Sequence, residues 1–203
     1  DKYHNVLGAK EYTHSIQTLS KARETFHSIS ELPKGARVGI VGAGLSGIEL
    51  ASELRESRTD LEIILYDRGP RILRNFPEKL SNYIAKWFRE NNVNVVPNSL
   101  IDKVEQGTIY NNGTPEPVDI VVWTAGIQPV EIVRKLPIDT NKSGRVIVNQ
   151  YHQVQTYKNV YVVGDCAALP HAPSAQLAEV QGDQIADVLK KQWNNESLPD
   201  KMP

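Results

Sequence analysis

Apolar residues first recur at helical spacing at Leu19, Ala22, Phe26 and Ile29, and Pro33, Lys34 and Gly35 then break the pattern, which predicts a leading helix. Val38 to Val41 is a short apolar run containing one glycine; further glycines follow at once, and Ile48, Ala51 and Leu54 come next at three-residue steps. That order predicts a strand, a tight turn and a helix. Leu61 to Tyr66 predicts another strand, Leu80, Ile84, Trp87 and Phe88 after Pro77 another amphipathic helix, and Val93 to Val96 a third strand. Strands and helices alternating in this way make an α/β fold, a parallel sheet with helices on both faces. From Leu100 the segments shorten and are separated by the turn signals Gln106-Gly107 and Asn111-Asn112-Gly113, which predicts an antiparallel meander. Asp119 to Thr124 then reads as a buried strand, Arg145 to Val148 and Val160 to Val163 as further short strands, and Ala175 to Leu189 as a closing helix.

Composition changes this picture only by exclusion. With 40% hydrophobic and 23% charged residues among 203, the chain can bury a full core, and a net charge of -1 leaves no basic footprint for nucleic acid. A single cysteine, Cys166, allows no internal disulfide and no CxxC pair, which suits a reducing compartment and makes the cytoplasm the expected location. The longest apolar stretch, around Ile120 to Val130, is about half of the roughly 20 residues of a membrane span. The charged start resembles no signal peptide, and the only methionine is Met202, so the sequence reads as one excised from a longer polypeptide. His4, His14, His27, His152 and His171 are dispersed, with no pair at metal-ligand spacing; they read as surface or packing residues, and no metal is expected.

The informative chemistry lies in VGIVGAGLSGIELASEL, where Gly42, Gly44 and Gly47 follow the GxGxxG pattern between a predicted strand and a predicted helix. The first glycine permits a tight turn, the second lets a pyrophosphate approach the backbone, and the third lets the helix pack close to the strand. Ala43, Leu45 and Ser46 complete the loop, whose backbone N–H groups at the helix start attract phosphate. Asp67 lies 20 residues after Gly47, at the end of the second strand, where a carboxylate accepts from an adenosine ribose. Arg68 follows it and could pair with a 2′-phosphate, but Asp67 would repel that phosphate, so NADH is expected over NADPH.

These segments resemble the pyridine-nucleotide side of the two-dinucleotide-binding flavoproteins, most of all the type II NADH dehydrogenases, and the likeness runs along nearly the whole chain. The resemblance implies a Rossmann-like domain for NAD(H) at 35–126, a leading helix and connection at 1–34, and a return segment at 127–203 that carries an incomplete C-terminal part of an FAD-binding domain. GAGLSGIELASEL resembles the family's NAD fingerprint, which implies a place for Glu49 near the nicotinamide and flavin rings. DIVVWTAGIQP resembles the strand that leads back to the flavin domain, with Ala125 and Gly126 against the nicotinamide half. NVYVVGDCAAL resembles the second flavin signature, in which Gly164 and Asp165 hold FAD, while Cys166 stands where a small residue is usual and reads as packing. SAQLAEVQGDQIA resembles the AQxAxQ stretch beside isoalloxazine and quinone, placing Gln176 and Leu177 at the flavin; Gln176 and Ala178 match, whereas Val180 and Glu179 depart.

The resemblance implies that the whole protein passes hydride from NADH to FAD, with Glu49 and Gln176 at the reacting rings, and then electrons to a quinone-type acceptor. No dedicated acid or base is required, because the protein positions and tunes the cofactors. The departures at Glu179 and Val180 leave two alternatives: a flavoprotein reductase for a protein partner, and a non-catalytic dinucleotide-binding module. The family's membrane attachment lies in a C-terminal segment, which implies peripheral association at the inner face of the membrane. An unpaired strand at Val160 to Val163 would be displaced or would pair with a second copy of the chain, giving a homodimer.

Overall fold

The computed structural model describes residues 2–170 and 174–198. They fall into two compact units, 1–127 and 128–203. In the first, strands β1 (Arg37–Val41), β2 (Glu62–Tyr66) and β3 (Val93–Val96) form where the apolar runs predict them, with α3 (Leu45–Ser57) and α4 (Glu78–Glu90) between them. The meander is β4 (Ile101–Glu105), β5 (Thr108–Asn111) and β6 (Thr114–Pro117), and the chain then returns through β7 (Ile120–Trp123). The parallel sheet has the order β3-β2-β1-β7, with Gly39 opposite both Ile64 and Val121. From β1 the chain winds to one side through β2 and β3 and then returns to β7 on the other, so the strand order reverses at β1, beside whose carboxyl end α/β sheets bind ligands.

Both faces of this sheet are buried, which explains why its strands are apolar runs rather than alternations. On one face Val38, Ile40, Ile63, Leu65 and Val122 pack against Ile48, Ala51 and Leu54 of α3 and Phe88 of α4. The other face, Val41, Tyr66, Val121 and Trp123, meets Ala9 of the one-turn helix α1 (Ala9–Tyr12) and, over most of its area, Ile101, Val104 and Ile109 of the meander. Asn112 and Gly113 take φ of 51° and 76°, the left-handed pair that a two-residue hairpin turn requires. Tyr66, fully buried, donates its hydroxyl to Glu116 Oε2 at 2.6 Å, and Asn111 Nδ2 reaches the other carboxylate oxygen at 3.1 Å, tying sheet to meander.

The leading helix, α2 (Leu19–Ser30), forms as the spacing predicts, with Thr18 as its cap, and only part of its apolar stripe is buried. Leu19 and Phe26 are 67% and 75% exposed, whereas Thr25 and Ile29 are buried. Thr25 donates its hydroxyl to Ser15 O at 2.8 Å, and this polar tie turns the Thr25 flank inward at the expense of Phe26.

Among its described residues the second unit holds two helices, the one-turn α5 (Glu131–Arg134) and α6 (Ala175–Trp193), and a 3-10 turn at Gly164–Cys166. The expected strands at Arg145 to Val148 and Val160 to Val163 are not ladders. Val146 pairs singly with Thr140 and with Ala167, Val148 with Val154, and Tyr161 with Gln153. Each pairing is an isolated bridge with no continuing register, so no strand propagates; Val146, Val154, Ala167 and Val188 are nonetheless buried. Val160 to Val163 is not displaced: Val154 N–H donates to Val160 O and Val162 N–H to His152 O, both at 2.9 Å. Among the described residues no helix is long and apolar enough to cross a membrane.

Candidate nucleotide site

The turn from β1 into α3 is held from every side that the protein supplies. Gly42 takes φ 108°, and a Cβ there would come within 2.9 Å of the Ala125 backbone, so glycine is required twice over. At Gly47 a Cβ would lie 1.8 Å from Gly42 O and 2.9 Å from Thr124 Oγ1; only glycine lets α3 pack on the turn. Gly44 differs. It is exposed, its φ of -78° suits any residue, and a Cβ there would meet nothing within 4 Å. It is also the N-cap of α3 and offers no side-chain acceptor, so the helix start, with exposed Leu45 and Ser46, faces outward uncapped. Two glycines serve the fold, and the third leaves open space at the uncapped start of α3.

Asp67, at the end of β2, accepts the Ala43 N–H through Oδ2 at 2.7 Å and the Gly69 N–H through Oδ1 at 2.6 Å. It therefore braces the glycine turn, and each carboxylate oxygen keeps lone-pair capacity for a further donor such as a ribose hydroxyl. Arg68 beside it is exposed. Gly42 N–H donates to Tyr66 O and Leu73 N–H to Ala43 O, at 2.8 and 2.9 Å, closing the turn from the β2 side. Across the turn Ala125 and Gly126 follow β7, Gly126 with φ 94°. Glu49 lies on the exposed side of the first turns of α3.

In the second unit Gly164 takes φ 64° and donates its N–H to Gln181 Oε1 at 2.8 Å, while a Cβ on it would come 3.2 Å from Ala178 Cβ. Asp165 is exposed on that turn, and Gln176 is exposed and Leu177 half-buried in the first turn of α6, whose cap Ser174 accepts the Leu177 N–H at 3.2 Å. The turn and the start of α6 are thus one packed piece, lined by Arg145, Ala167, Ala178 and Gln181.

The model of the family described as pyridine nucleotide-disulphide oxidoreductase matches residues 1–182. The chain belongs to that family. It is 55% identical over 203 residues to an NADH dehydrogenase-like protein of Bacillus subtilis, YutJ, covering all of this chain and 57% of that protein. To the type II NADH:quinone oxidoreductase of Haemophilus influenzae it is 26% identical over 182 residues, 79% of this chain and 41% of that one. The chain spans little more than half the length of the first of these relatives and less of the second. Among solved structures, NDH2 of Plasmodium falciparum in complex with NADH matches with TM-score 0.71 at 18% identity, over 82% of this chain and 42% of that one. A ferredoxin reductase of Rhodopseudomonas palustris matches with TM-score 0.79 at 20% identity, over 98% and 51%. At these identities the structures establish the fold that this family member shares.

Several residues that position the family's two turns carry no motif in the sequence. The Thr124 hydroxyl lies 3.0 Å from Val41 O and 2.9 Å from Gly42 O, so one proton is shared between two carbonyls and clamps β7 to the turn. Gln181, 4% exposed, is the acceptor for Gly164; only its place one residue beyond Val180, itself 52% exposed, hints at it. The histidines divide. His27 pairs with Glu31 on the surface of α2, His14 bonds through its backbone to the edge of β7, and buried His152 meets Gln184 Oε1 at 2.9 Å. His171 lies outside the described residues. His4 is exposed, and its ring lies against Gly126. Among the described residues no group of three or more His, Cys, Asp or Glu side chains could hold a metal ion.

Proposed function

We propose that this chain is the NAD(H)-binding portion, residues 35–126 with the 1–34 lead and the 127–203 return segment, of an FAD-dependent NADH dehydrogenase that passes electrons to a quinone-type acceptor. The observation that carries the reading is Gly44, a glycine that its own fold does not need at the uncapped start of α3. Gly42, Ala43, Gly44, Leu45, Ser46 and Gly47 would hold the pyrophosphate, Asp67 the adenosine ribose, and Ala125, Gly126 and Glu49 the nicotinamide end. The negative charge of Asp67 disfavours a 2′-phosphate, so NADH is preferred to NADPH. Gly164, Asp165, Gln176 and Leu177 would contribute to the flavin site. Nicotinamide and flavin, when bound, supply hydride transfer; the chain's own residues bind and orient them. The NADH and quinone in the relatives' names support the substrate and the acceptor.

The test is Gly44→Val. With open space around that position, the variant should melt within a few degrees of the wild type and lose NADH binding in calorimetry. Unchanged affinity would overturn the nucleotide reading. Val180 and Glu179, both exposed on α6, favour a second reading in which a protein partner receives the electrons. NADH-dependent reduction of a soluble quinone analogue by the intact flavoprotein separates the two.

A further inference from the structure

Between β2 and α4 the chain runs through 67–77 without helix or strand, and there the buried Leu73 takes φ 48°. A bulky residue holds that left-handed value only where its surroundings impose it. Arg71 supplies much of the constraint. Its Nη1 donates to Ser81 Oγ at 2.5 Å and to Leu73 O at 3.3 Å, and its Nη2 to Arg74 O at 2.9 Å and to Phe76 O at 3.1 Å. Ser81, buried on α4, donates in turn to Ile72 O at 2.6 Å, and the Phe76 N–H closes the bend on Leu73 O at 2.8 Å. One planar guanidinium thus gathers three carbonyls of the loop and ties them to α4.

This bend reaches the glycine turn directly, through the Leu73 N–H donated to Ala43 O at 2.9 Å. The peptide before Ala43 is held at both ends, since Asp67 Oδ2 accepts the Ala43 N–H and Thr124 Oγ1 lies 2.9 Å from Gly42 O. The peptide after it is held at its carbonyl alone. Among the described residues nothing accepts the Gly44 N–H, and a Cβ on Gly44 would meet nothing within 4 Å. In a planar trans peptide the C=O and the N–H point to opposite sides. The bond that holds Ala43 O therefore also sets the direction of the Gly44 N–H, away from Leu73.

Resting on the nucleotide reading above, we propose that Arg71 is a positioning residue for the dinucleotide: by holding the Leu73 bend against Ala43 it aims the Gly44 N–H at the pyrophosphate. Arg71 acts through Leu73 and the Ala43–Gly44 peptide, and what matters is the shape of its fork and not its charge. A lysine ammonium is a point donor on a flexible stem and cannot span the carbonyls of Leu73, Arg74 and Phe76 together with Ser81.

Arg71→Lys keeps the charge and loses the fork, so it separates aim from electrostatics. ADP-ribose, which carries the pyrophosphate without the nicotinamide, is the probe, titrated calorimetrically into the chain while the Gly44 amide is followed by NMR on isotope-labelled protein. In the wild type a single Gly44 signal should move on titration. Arg71→Lys should bind ADP-ribose about tenfold more weakly, with the Gly44 signal of the free protein shifted or doubled. Ser81→Ala, which keeps Arg71 but removes its anchor on α4, should show the same changes more weakly, and it decides the matter if Arg71→Lys does not fold. A role confined to stability would lower the thermal midpoint and leave both the affinity of the folded protein and the Gly44 signal unchanged; that result overturns the inference while leaving the nucleotide reading intact. If wild-type protein binds no ADP-ribose, the nucleotide reading fails and the inference falls with it.

Discussion

The two glycine turns of this chain are built on opposite principles. The Gly42–Gly47 turn ends a five-residue parallel register, and side chains and backbone from β2, β7 and the loop at Leu73 all bond to it. The Gly164 turn has a single side chain, Gln181, on its N–H, and its neighbours Val146 and Ala167 meet through an isolated bridge. The first turn is locked by a sheet, whereas the second rests on Gln181 and on the Val146 N–H bond to Cys166 O at 2.8 Å, with no ladder behind it. Preorganisation of this sort lowers the ordering cost of binding, which supports the proposed nucleotide role of the first turn.

Substitutions that separate the two turns sharpen this contrast. The largest effect should come from Gly47→Val, whose Cβ would overlap Gly42 O; a loss of about 3 kcal/mol or more in urea unfolding is expected, and a variant of near-wild-type stability would mean that the turn yields easily. Asp67→Ala removes the acceptor of two N–H groups on buried residues. A loss of about 2 kcal/mol should accompany a narrowed NADH-over-NADPH preference, and calorimetry with both nucleotides tests the second part.

Gln181→Leu should cost about 1 kcal/mol and reduce flavin retained on gel filtration while leaving ADP-ribose affinity alone. Loss of ADP-ribose binding in that variant would show that the turns are not independent. The smallest effect belongs to Tyr66→Phe, whose lost hydroxyl bonds to Glu116 and to neither turn, at about 1 kcal/mol. Burial, and then the bond to Glu116, push the Tyr66 phenol well above its ordinary value. Folding thus favours the protonated phenol: that contribution is complete below about pH 10, the unfolded value, and is lost as pH rises beyond it. Urea unfolding at pH 8 and pH 10.5 should show a fall in wild-type stability that Tyr66→Phe lessens.

Much of the sheet was legible in the chain because a strand buried on both faces must be a continuous apolar run, as at Val38 to Val41 and Ile120 to Trp123. The meander was equally plain, since Gly107 and Asn112-Gly113 occupy backbone conformations few residues accept. Periodicity marked α2 but not its inward flank, which a Thr25 hydrogen bond, invisible to any hydrophobic count, chose. It failed in the second unit, where apolar stretches without a continuing partner make bridges and not strands.

The sequence by itself determined the strand-turn-helix and its three glycines, because turn geometry and helix approach are local demands on single residues. Tertiary structure alone decided that Gly42 and Gly47 answer to Ala125 and Thr124 while Gly44 answers to nothing in the protein. It alone brought Asp67 to the Ala43 N–H, Gln181 to Gly164 and His4 to Gly126, pairs separated by 24, 17 and 122 positions. Contacts at such separations are set by the strand order β3-β2-β1-β7 and by helix packing, and the spacing of residues along a chain does not encode them.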